Sequence, residues 1–267
     1  WKYYHDNGAL RAIGKYKNGK FEKDEKYENL YKTTGWWFSI NVGDFNKDGQ
    51  PDFLAGNLGK NYKYKASHDE PFQVWCHDFD NSGSLDIVLG YFDHGVCFPV
   101  RGRSCSSQQM PFIKSKYPTF ESFANATISD IYGKSLNEAL NLKASTFSNS
   151  VILSTTERNY KVTPLSNQFQ FSCIQDAIIE DFDGDGALDV VGGGNLYTAE
   201  VETPRNDASI GFFAKGDNSG NFTFIPYSKS GISMSGDVKD LERINGNDDK
   251  KIILVGSNDF KLDIIVK

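Results

Sequence analysis

The sequence has few of the residues that mark several common classes of protein. It contains only four cysteines, with no CxxC spacing, which argues against a zinc site. It has no apolar run of about 18 residues, the length needed to cross a bilayer as a helix, so no transmembrane segment is predicted. The lysines of residues 15–32 alternate with acidic residues. They predict a solvated face and not a basic patch, and nucleic acid is not an expected partner.

The remaining composition is that of a globular protein. Hydrophobic residues make up 39% of the 267 positions and aromatic residues 14%, which is too much for a disordered chain. The four thiols are expected to be unpaired, and a disulfide between Cys97 and Cys105 is the alternative. The chain begins at Trp1 without a signal-like segment, which predicts a processed product or part of a longer chain.

Three nine-residue segments share one arrangement of oxygen-bearing side chains: Asp44–Asp52, Asp78–Asp86 and Asp181–Asp189. Each has Asp, Asn or Ser at its first, third, fifth and ninth positions, Phe at the second and Gly at the sixth. The seventh residue offers its backbone carbonyl. The candidate ligands are Asp44, Asn46, Asp48, Gln50 and Asp52 in the first loop, Asp78, Asp80, Ser82, Ser84 and Asp86 in the second, and Asp181, Asp183, Asp185, Ala187 and Asp189 in the third.

This donor set predicts about three calcium sites, because calcium takes six to eight oxygen ligands in a flexible geometry whereas magnesium demands an octahedron. The loops are not EF-hands, since the twelfth position is Ala55, Leu89 or Gly192 and not glutamate. Each loop lies between two short apolar runs, which predicts a strand–loop–strand connection. One such nonamer alone would indicate a solvated turn, but three copies in the same context favour a metal.

The recurring motifs are similar to those of a known family. FNKDGQPDFLAGN, FDNSGSLDIVLG and FDGDGALDVVGGGN resemble the FG-GAP/VCBS repeats of integrin-α-like β-propellers. The longer segments GWWFSINVGDFNKDGQPDFLAGNLGKNYKYKAS, RGRSCSSQQMPFI and EVETPRNDAS resemble VCBS-repeat proteins of Bacteroidetes related to the ASPIC/UnbV and cartilage-acidic-protein group. The resemblance covers Gly35 to the end. It implies an all-β propeller, or the C-terminal part of one, that binds calcium and is secreted or associated with the outer membrane or cell surface.

The chain is predicted to have four parts. Residues 1–34 form N-terminal hairpins or a partial blade, residues 35–100 carry the first two calcium loops on propeller blades, residues 101–140 are a helical insertion, and residues 141–267 hold the third loop and a metal-free last blade. The insertion is expected to pack through Met110, Phe112, Ile113, Phe120 and Phe123. The last blade has three predicted strands where a propeller blade needs four. Either an N-terminal strand completes it and closes the ring, or the chain is a fragment whose missing blades lie upstream. Such a larger chain, or an outer-membrane complex, is the assembly to which these residues would then belong.

The favoured function is non-catalytic binding or scaffolding, with a glycan or a surface protein as the partner. A candidate recognition loop carries Tyr197, Glu200, Glu202, Arg205 and Asp207, and it is expected to lie beside residues 57–65 at the end of the strands away from the metal loops. Salt bridges that merely order this loop are the alternative. No catalytic residue is predicted, since Ser104–Ser107 lacks the context of a nucleophile and His77 is expected to be structural. A propeller-fold polysaccharide lyase or hydrolase is the alternative function.

Overall fold

The computed structural model describes residues 2–4, 10–13, 15–17, 20–22, 28–155, 159–199, 203–247 and 250–266. The strands are β1 (Lys2–Tyr4), β2 (Leu10–Ile13), β3 (Lys15–Lys17), β4 (Lys20–Glu22), β5 (Ser39–Gly43), β6 (Asp52–Gly56), β7 (Phe72–His77), β8 (Asp86–Asp93), β9 (Val96–Pro99), β10 (Leu140–Ala144), β11 (Ser150–Ser154), β12 (Tyr160–Pro164), β13 (Asp176–Glu180), β14 (Asp189–Gly193), β15 (Phe212–Gly216), β16 (Phe222–Ile225), β17 (Asp237–Asn245), β18 (Lys251–Asn258) and β19 (Asp263–Val266). The helices are α1 (Glu28–Tyr31), α2 (Arg103–Gln109), α3 (Phe112–Lys116), α4 (Phe120–Ala124), α5 (Ile128–Tyr132) and α6 (Tyr227–Ser230), with short 3₁₀ segments at Gly133–Asn137 and Asn167–Gln170.

The described residues are mostly β, and all of the sheets are antiparallel. The chain divides into two compact units. The first contains Trp1–Lys32, Trp36–Tyr62 and Ser148–Lys267, and the second contains Thr33–Gly35 and Lys63–Phe147. The second unit is therefore inserted in the sequence between β6 and β11, which pair with each other in one sheet of the first unit. The sequence had indicated an insertion only at residues 101–140.

The first unit contains two four-stranded sheets, ordered β12-β11-β6-β5 and β13-β14-β15-β16, and a three-stranded sheet ordered β17-β18-β19. Strand β14 is central, and all five of its residues are buried. Successive strand residues point to opposite faces, and Val190 and Val191 accordingly belong to different cores. Val190 packs with Phe45, Leu54 and other residues of the first core. Val191 packs in the core that also contains Val238, Ile253 and Val255 from the three-stranded sheet.

The second unit contains a sheet ordered β10-β7-β8-β9, in which the fourth strand returns to pair with the first. This is the strand order of a Greek key. Helices α2–α5 lie between β9 and β10 in the sequence, within residues 101–140 for which the sequence predicts short helices. Thr119 and Thr127 begin α4 and α5 with capping boxes, in which each hydroxyl accepts a hydrogen bond from a backbone N–H three residues later.

The core of the second unit joins the helices to the sheet. Met110, Ile113 and Phe123 pack with Trp75 and other buried residues of the strands. Phe112 lies partly buried at its edge. The expected packing of Phe120 is wrong, because its side chain is 67% exposed and faces the Arg103 guanidinium at 5.3 Å. Phe120 and Phe123 are three residues apart, a spacing that would place both on one face of α4, but of the two only Phe123 belongs to the core.

Ring closure by the N-terminal strands is not seen in the part of the chain that the structure describes. Strand β1 pairs with β2, β3 pairs with β4, and β19 pairs with β18. The three-stranded order β17-β18-β19 thus matches the strand count that the sequence predicts for the last sheet. Among the described helices, none is long and apolar enough to cross a membrane.

Replacing Phe123 with alanine should destabilise the protein much more than replacing Phe120. Phe123 is 4% exposed, and deleting a buried phenylalanine ring costs about 3–5 kcal/mol of unfolding free energy. Phe120→Ala is the matched control, and it should cost less than about 1 kcal/mol because it removes an exposed ring and one cation–π contact. Urea unfolding followed by circular dichroism measures both. Equal losses would contradict this view of the insertion.

Candidate metal centres

The three aspartate-rich loops occupy equivalent places in three different sheets. They connect β5 to β6, β7 to β8 and β13 to β14, in each case joining an antiparallel pair. All three have positive φ at the fourth and sixth positions: Lys47 (56°), Gly49 (76°), Asn81 (57°), Gly83 (85°), Gly184 (80°) and Gly186 (87°). The sixth position is glycine every time, which is the residue that accepts this region without steric cost. The turn at the fourth position was not evident from the sequence, since Lys, Asn and Gly stand there.

The first aspartate of each loop fixes the turn from inside. Asp181 accepts hydrogen bonds from the backbone N–H groups of Gly184 at 2.7 Å and Gly186 at 2.9 Å. Asp44 and Asp78 accept the corresponding bond from their sixth-position glycines at 3.0 and 2.9 Å. A carboxylate has about four acceptor sites, so each of these side chains keeps lone pairs for a cation.

The ninth aspartate of each loop is buried and closes it. Asp52, Asp86 and Asp189 are 0%, 4% and 0% exposed, and their Oδ2 atoms accept a hydrogen bond from the second-position phenylalanine N–H at 2.9, 3.0 and 3.0 Å. In the first and third loops, Oδ1 also accepts from a neighbouring strand, namely from Ser154 N at 2.7 Å and Gly216 N at 3.0 Å. Burial raises the pKa of Asp52 and Asp189, and these N–H donors oppose the rise.

The fifth side chain of each loop supports the seventh residue. Asp48 accepts from Gln50 N at 2.7 Å and Asp185 accepts from Ala187 N at 2.8 Å, while Ser84 N donates to the fifth-position hydroxyl at 3.4 Å. In the first loop, Asp48 also accepts from the Ser154 hydroxyl at 2.6 Å. Although burial acts to raise the pKa of Asp48, the hydrogen bonds from Ser154, Gln50 and Asn46 hold it below its usual value.

Two loops bring three carboxylates together. Oxygen atoms of Asp78, Asp80 and Asp86 lie within 4.8 Å of one another, and so do those of Asp181, Asp183 and Asp189. Both clusters can hold a metal ion. The donors are all oxygens, which suits a hard cation such as calcium or magnesium. The first loop has Asn46 at the third position, so it offers an amide oxygen where the other loops offer a carboxylate.

A lysine outside the motif completes the third loop. The Lys215 ammonium lies against Oδ2 of Asp183 and is 2.9 Å from Oδ2 of Asp185. The hydrogen bonds to these two carboxylates raise the pKa of Lys215, and the bond from Lys215 lowers the pKa of Asp185. Sequence reasoning missed Lys215, which lies on β15, beyond β14 and the long segment that joins the two strands. The available signal was the position of Lys215, which directly follows the apolar run Phe212–Ala214 and precedes Gly216.

The other residues considered for chemistry make structural contacts. His77 packs edge-on against Phe79 with ring centroids 5.3 Å apart. In α2, the hydroxyls of Ser106 and Ser107 donate to the backbone carbonyls of Arg101 and Ser104 at 3.1 and 3.0 Å. All four cysteines are free thiols. Burial raises the pKa of Cys97 to about 11, which keeps this thiol protonated and unreactive.

The candidate recognition loop is partly described. Glu200 and Glu202 lie outside the described residues. The Arg205 guanidinium stacks over the Tyr197 ring at 4.4 Å and forms an ion pair of 3.0 Å with Asp207. These three groups thus satisfy one another, as expected if the ion pair orders the loop. The loop after β14 also meets the loop after β6, because the Asn206 side-chain amide donates to the Leu58 carbonyl at 3.0 Å.

Buried amide side chains build that end of the first unit, and sequence reasoning missed them. Asn57 and Asn149 are both 0% exposed. Asn149 Oδ1 accepts from Asn57 N at 2.6 Å, and its amide nitrogen donates to the carbonyls of Phe169 and Ser172 at 2.7 and 2.9 Å. Asn195, at the end of β14, donates to the Ser209 and Gly236 carbonyls at 2.9 and 2.7 Å. Loops held by such bonds are preorganised, which suits a binding surface.

No protein-family model, no curated protein and no solved structure matches this chain. The resemblance to FG-GAP/VCBS proteins therefore stays a prediction from the motifs, and the loop geometry carries the functional argument.

Asp189→Ala should destabilise the protein even in the presence of a chelator, because the hydrogen bonds of Asp189 do not depend on metal. The substitution leaves the Phe182 and Gly216 N–H groups without their acceptor, at about 1–3 kcal/mol for each buried donor. Asp183→Ala is the control in the same loop, and with chelator it should cost less than about 1 kcal/mol because its contacts are at the surface. Urea unfolding measures both. A loss for Asp189→Ala no larger than for the control would refute the structural role of the ninth aspartate.

Proposed function

We propose that this chain is a calcium-stabilised, non-catalytic binding or scaffold protein whose sheets are blades of an FG-GAP/VCBS-type propeller. The observation that carries the proposal is the repetition of one loop geometry in three sheets. The first, sixth and ninth positions make the same hydrogen bonds each time, although the fourth and seventh residues differ from loop to loop. A solvated turn has no need of this repetition.

Calcium fits the loops better than magnesium. The donors comprise carboxylates, an amide or a hydroxyl at the third and fifth positions, and the carbonyls of Gln50, Ser84 and Ala187, and this mixed set suits a flexible shell of six to eight oxygens. Several ligands are solvent-facing, with the side chains of Asp183 and Asp185 33% and 39% exposed. Sites of this kind suit calcium concentrations of about 10⁻⁴–10⁻³ M outside cells. This supports secretion or attachment at the cell surface or outer membrane.

The candidate recognition surface lies at the end of β6 and β14 that is away from the metal loops, within the first unit. It combines exposed aromatic, apolar, amide and cationic side chains with one half-buried tyrosine, Tyr197. The exposed residues are Lys60, Asn61, Phe171, Arg205 and Ile210. A cavity of about 310 Å³ opens there, lined by Phe169, Phe171, Ile210 and Phe212 among others. Aromatic faces beside amide and guanidinium donors suit a glycan, whose sugar rings present C–H faces and hydroxyls together. A surface protein is the other kind of partner this surface can serve.

Calcium titration should show three sites, and chelation should lower the melting temperature. A ligand that binds only the folded state stabilises it by mass action, by about 2.7 kcal/mol at a hundredfold excess over Kd. Isothermal calorimetry and thermal unfolding with and without chelator measure the two effects. Asp183→Ala should weaken one site and leave the other two unchanged. Absence of calcium binding in the wild-type protein would overturn the proposal.

A glycan array probed with the calcium-loaded protein should identify a sugar ligand. Phe171→Ala and Arg205→Ala should each weaken its binding about tenfold or more, as expected for aromatic and arginine anchors of a binding surface. Tyr227→Ala, which removes an exposed aromatic ring on α6, is the matched control and should bind normally. A glycan that binds all three variants equally would place the recognition surface elsewhere, and an array without binding would favour a protein partner.

A further inference from the structure

The third metal loop has a cation of the protein's own at its carboxylates. Lys215 on β15 places its ammonium between the third- and fifth-position carboxylates, Asp183 and Asp185. Those oxygens belong to the set that would bind calcium. The lysine side chain is 40% exposed, so it can swing out to solvent without disturbing a core.

The register of the strands shows that this lysine has no counterpart at the first loop. Val190 is the tenth residue counted from the start of the third loop, and it pairs with Ala214 on β15. Phe53 is the tenth residue counted from the start of the first loop, and it pairs with Ile152 on β11. The next residue on the third strand is Lys215 in one case and Leu153 in the other. Leu153 packs against the first core. The residue after that, Gly216 or Ser154, donates its N–H to the ninth aspartate in both sheets, which confirms the equivalence.

At the second loop, no described strand residue pairs at this register on the third-strand side. Strand β9 pairs with β8 only at Gly90–Asp93, the end of β8 away from the loop. Its third and fifth positions, Asp80 and Ser82, are exposed or half-buried and make hydrogen bonds within the loop.

The Lys47 ammonium also lies beside Gly186 of the third loop, and Lys251, another lysine near this loop, is engaged elsewhere. Lys251 donates to the backbone carbonyl of Asp181 at 2.8 Å and pairs with Glu180 at 2.9 Å. The Lys251 ammonium therefore binds the backbone carbonyl at the start of the loop, whereas Lys215 binds the carboxylates of the loop.

We propose that Lys215 is a tethered counter-ion which occupies the third loop until a divalent cation displaces it. This rests on the proposed calcium function and sets an order among the sites. Calcium at the third loop must break two charge-assisted hydrogen bonds and repel a nearby ammonium, so the third loop binds more weakly than the second. The lysine in turn stabilises the metal-free state, because it neutralises carboxylates that otherwise repel one another.

Glycine-selective isotope labelling makes the loops separately observable by NMR. The amides of Gly83 and Gly186 each donate to the first aspartate of their own loop, so each reports calcium at one site. In the wild-type protein, Gly83 should respond at lower calcium than Gly186. Lys215→Gln should lower the calcium midpoint of Gly186 about tenfold, the equivalent of one or two exposed ion pairs. The midpoint of Gly83 should not move.

Two further variants separate charge from structure. Lys215→Arg keeps the cation and should keep the wild-type midpoint at Gly186. Lys143→Gln removes a lysine from β10 in the second unit and should change neither midpoint. Thermal unfolding gives an independent test. With chelator, Lys215→Gln should have a lower melting temperature than the wild type, and in saturating calcium the two melting temperatures should be equal. A merely structural lysine would cause the same deficit in both conditions.

The failures are distinguishable. If Gly83 responds to calcium and the Gly186 midpoint is the same in wild type and Lys215→Gln, the counter-ion role is wrong and the calcium function stands. If neither glycine responds in either protein, the calcium function fails and the counter-ion role falls with it.

Discussion

The hydrogen bonds of the ninth aspartate are the constraint on which the loops depend. A buried carboxylate is unfavourable in an apolar sheet unless donors compensate it. Asp189 meets this requirement with the N–H groups of Phe182 and Gly216, one from the loop start and one from the neighbouring strand. The same side chain therefore closes the loop and joins it to the sheet. The oxygen array is then part of the folded scaffold and not an appended turn.

The apolar residues beside each loop are arranged around this carboxylate. Phe45 and Phe182, at the second positions, are buried in two different cores. Their N–H groups point to the aspartate while their rings fill the space between sheets. This explains why phenylalanine recurs at a position that offers no ligand. Because β14 has both faces covered, the third loop is anchored between two cores, and its geometry is set by packing on either side.

Much of the site could be predicted from the sequence because its determinants are local. Aspartate spacing, the sixth-position glycine and the flanking apolar runs all lie within about a dozen residues, and so do the capping threonines of the short helices. What could not be predicted depends on strand register. Lys215, Ser154 and Gly216 lie on third strands, β15 and β11, which are distant from the loops in the sequence. They reach the loops only because these strands pair with β14 and β6. Strand β10 was missed for the same reason, since it pairs back with β7 across the helices. In the sequence, Asn57 and Asn206 look like ordinary loop residues. Their burial depends on the contact between two loops that are far apart in the sequence.

The insertion of the second unit between β6 and β11 affects the order in which the chain can fold. Phe53 pairs with Ile152, so the central pairing of that sheet joins residues that are far apart in the sequence. This pairing can form only after the long segment between them has brought its two ends together. Residues 63–147 are contiguous and have their own core. Loop closure becomes less favourable only slowly with length, but contacts distant in sequence slow the search for the native state. If the inserted segment folds first, the connection between β6 and β11 is a folded unit and no longer a long flexible chain. The β5–β6 hairpin would then persist as a half-sheet with an open edge, and this transient edge is the place where misassembly of the nascent protein would begin.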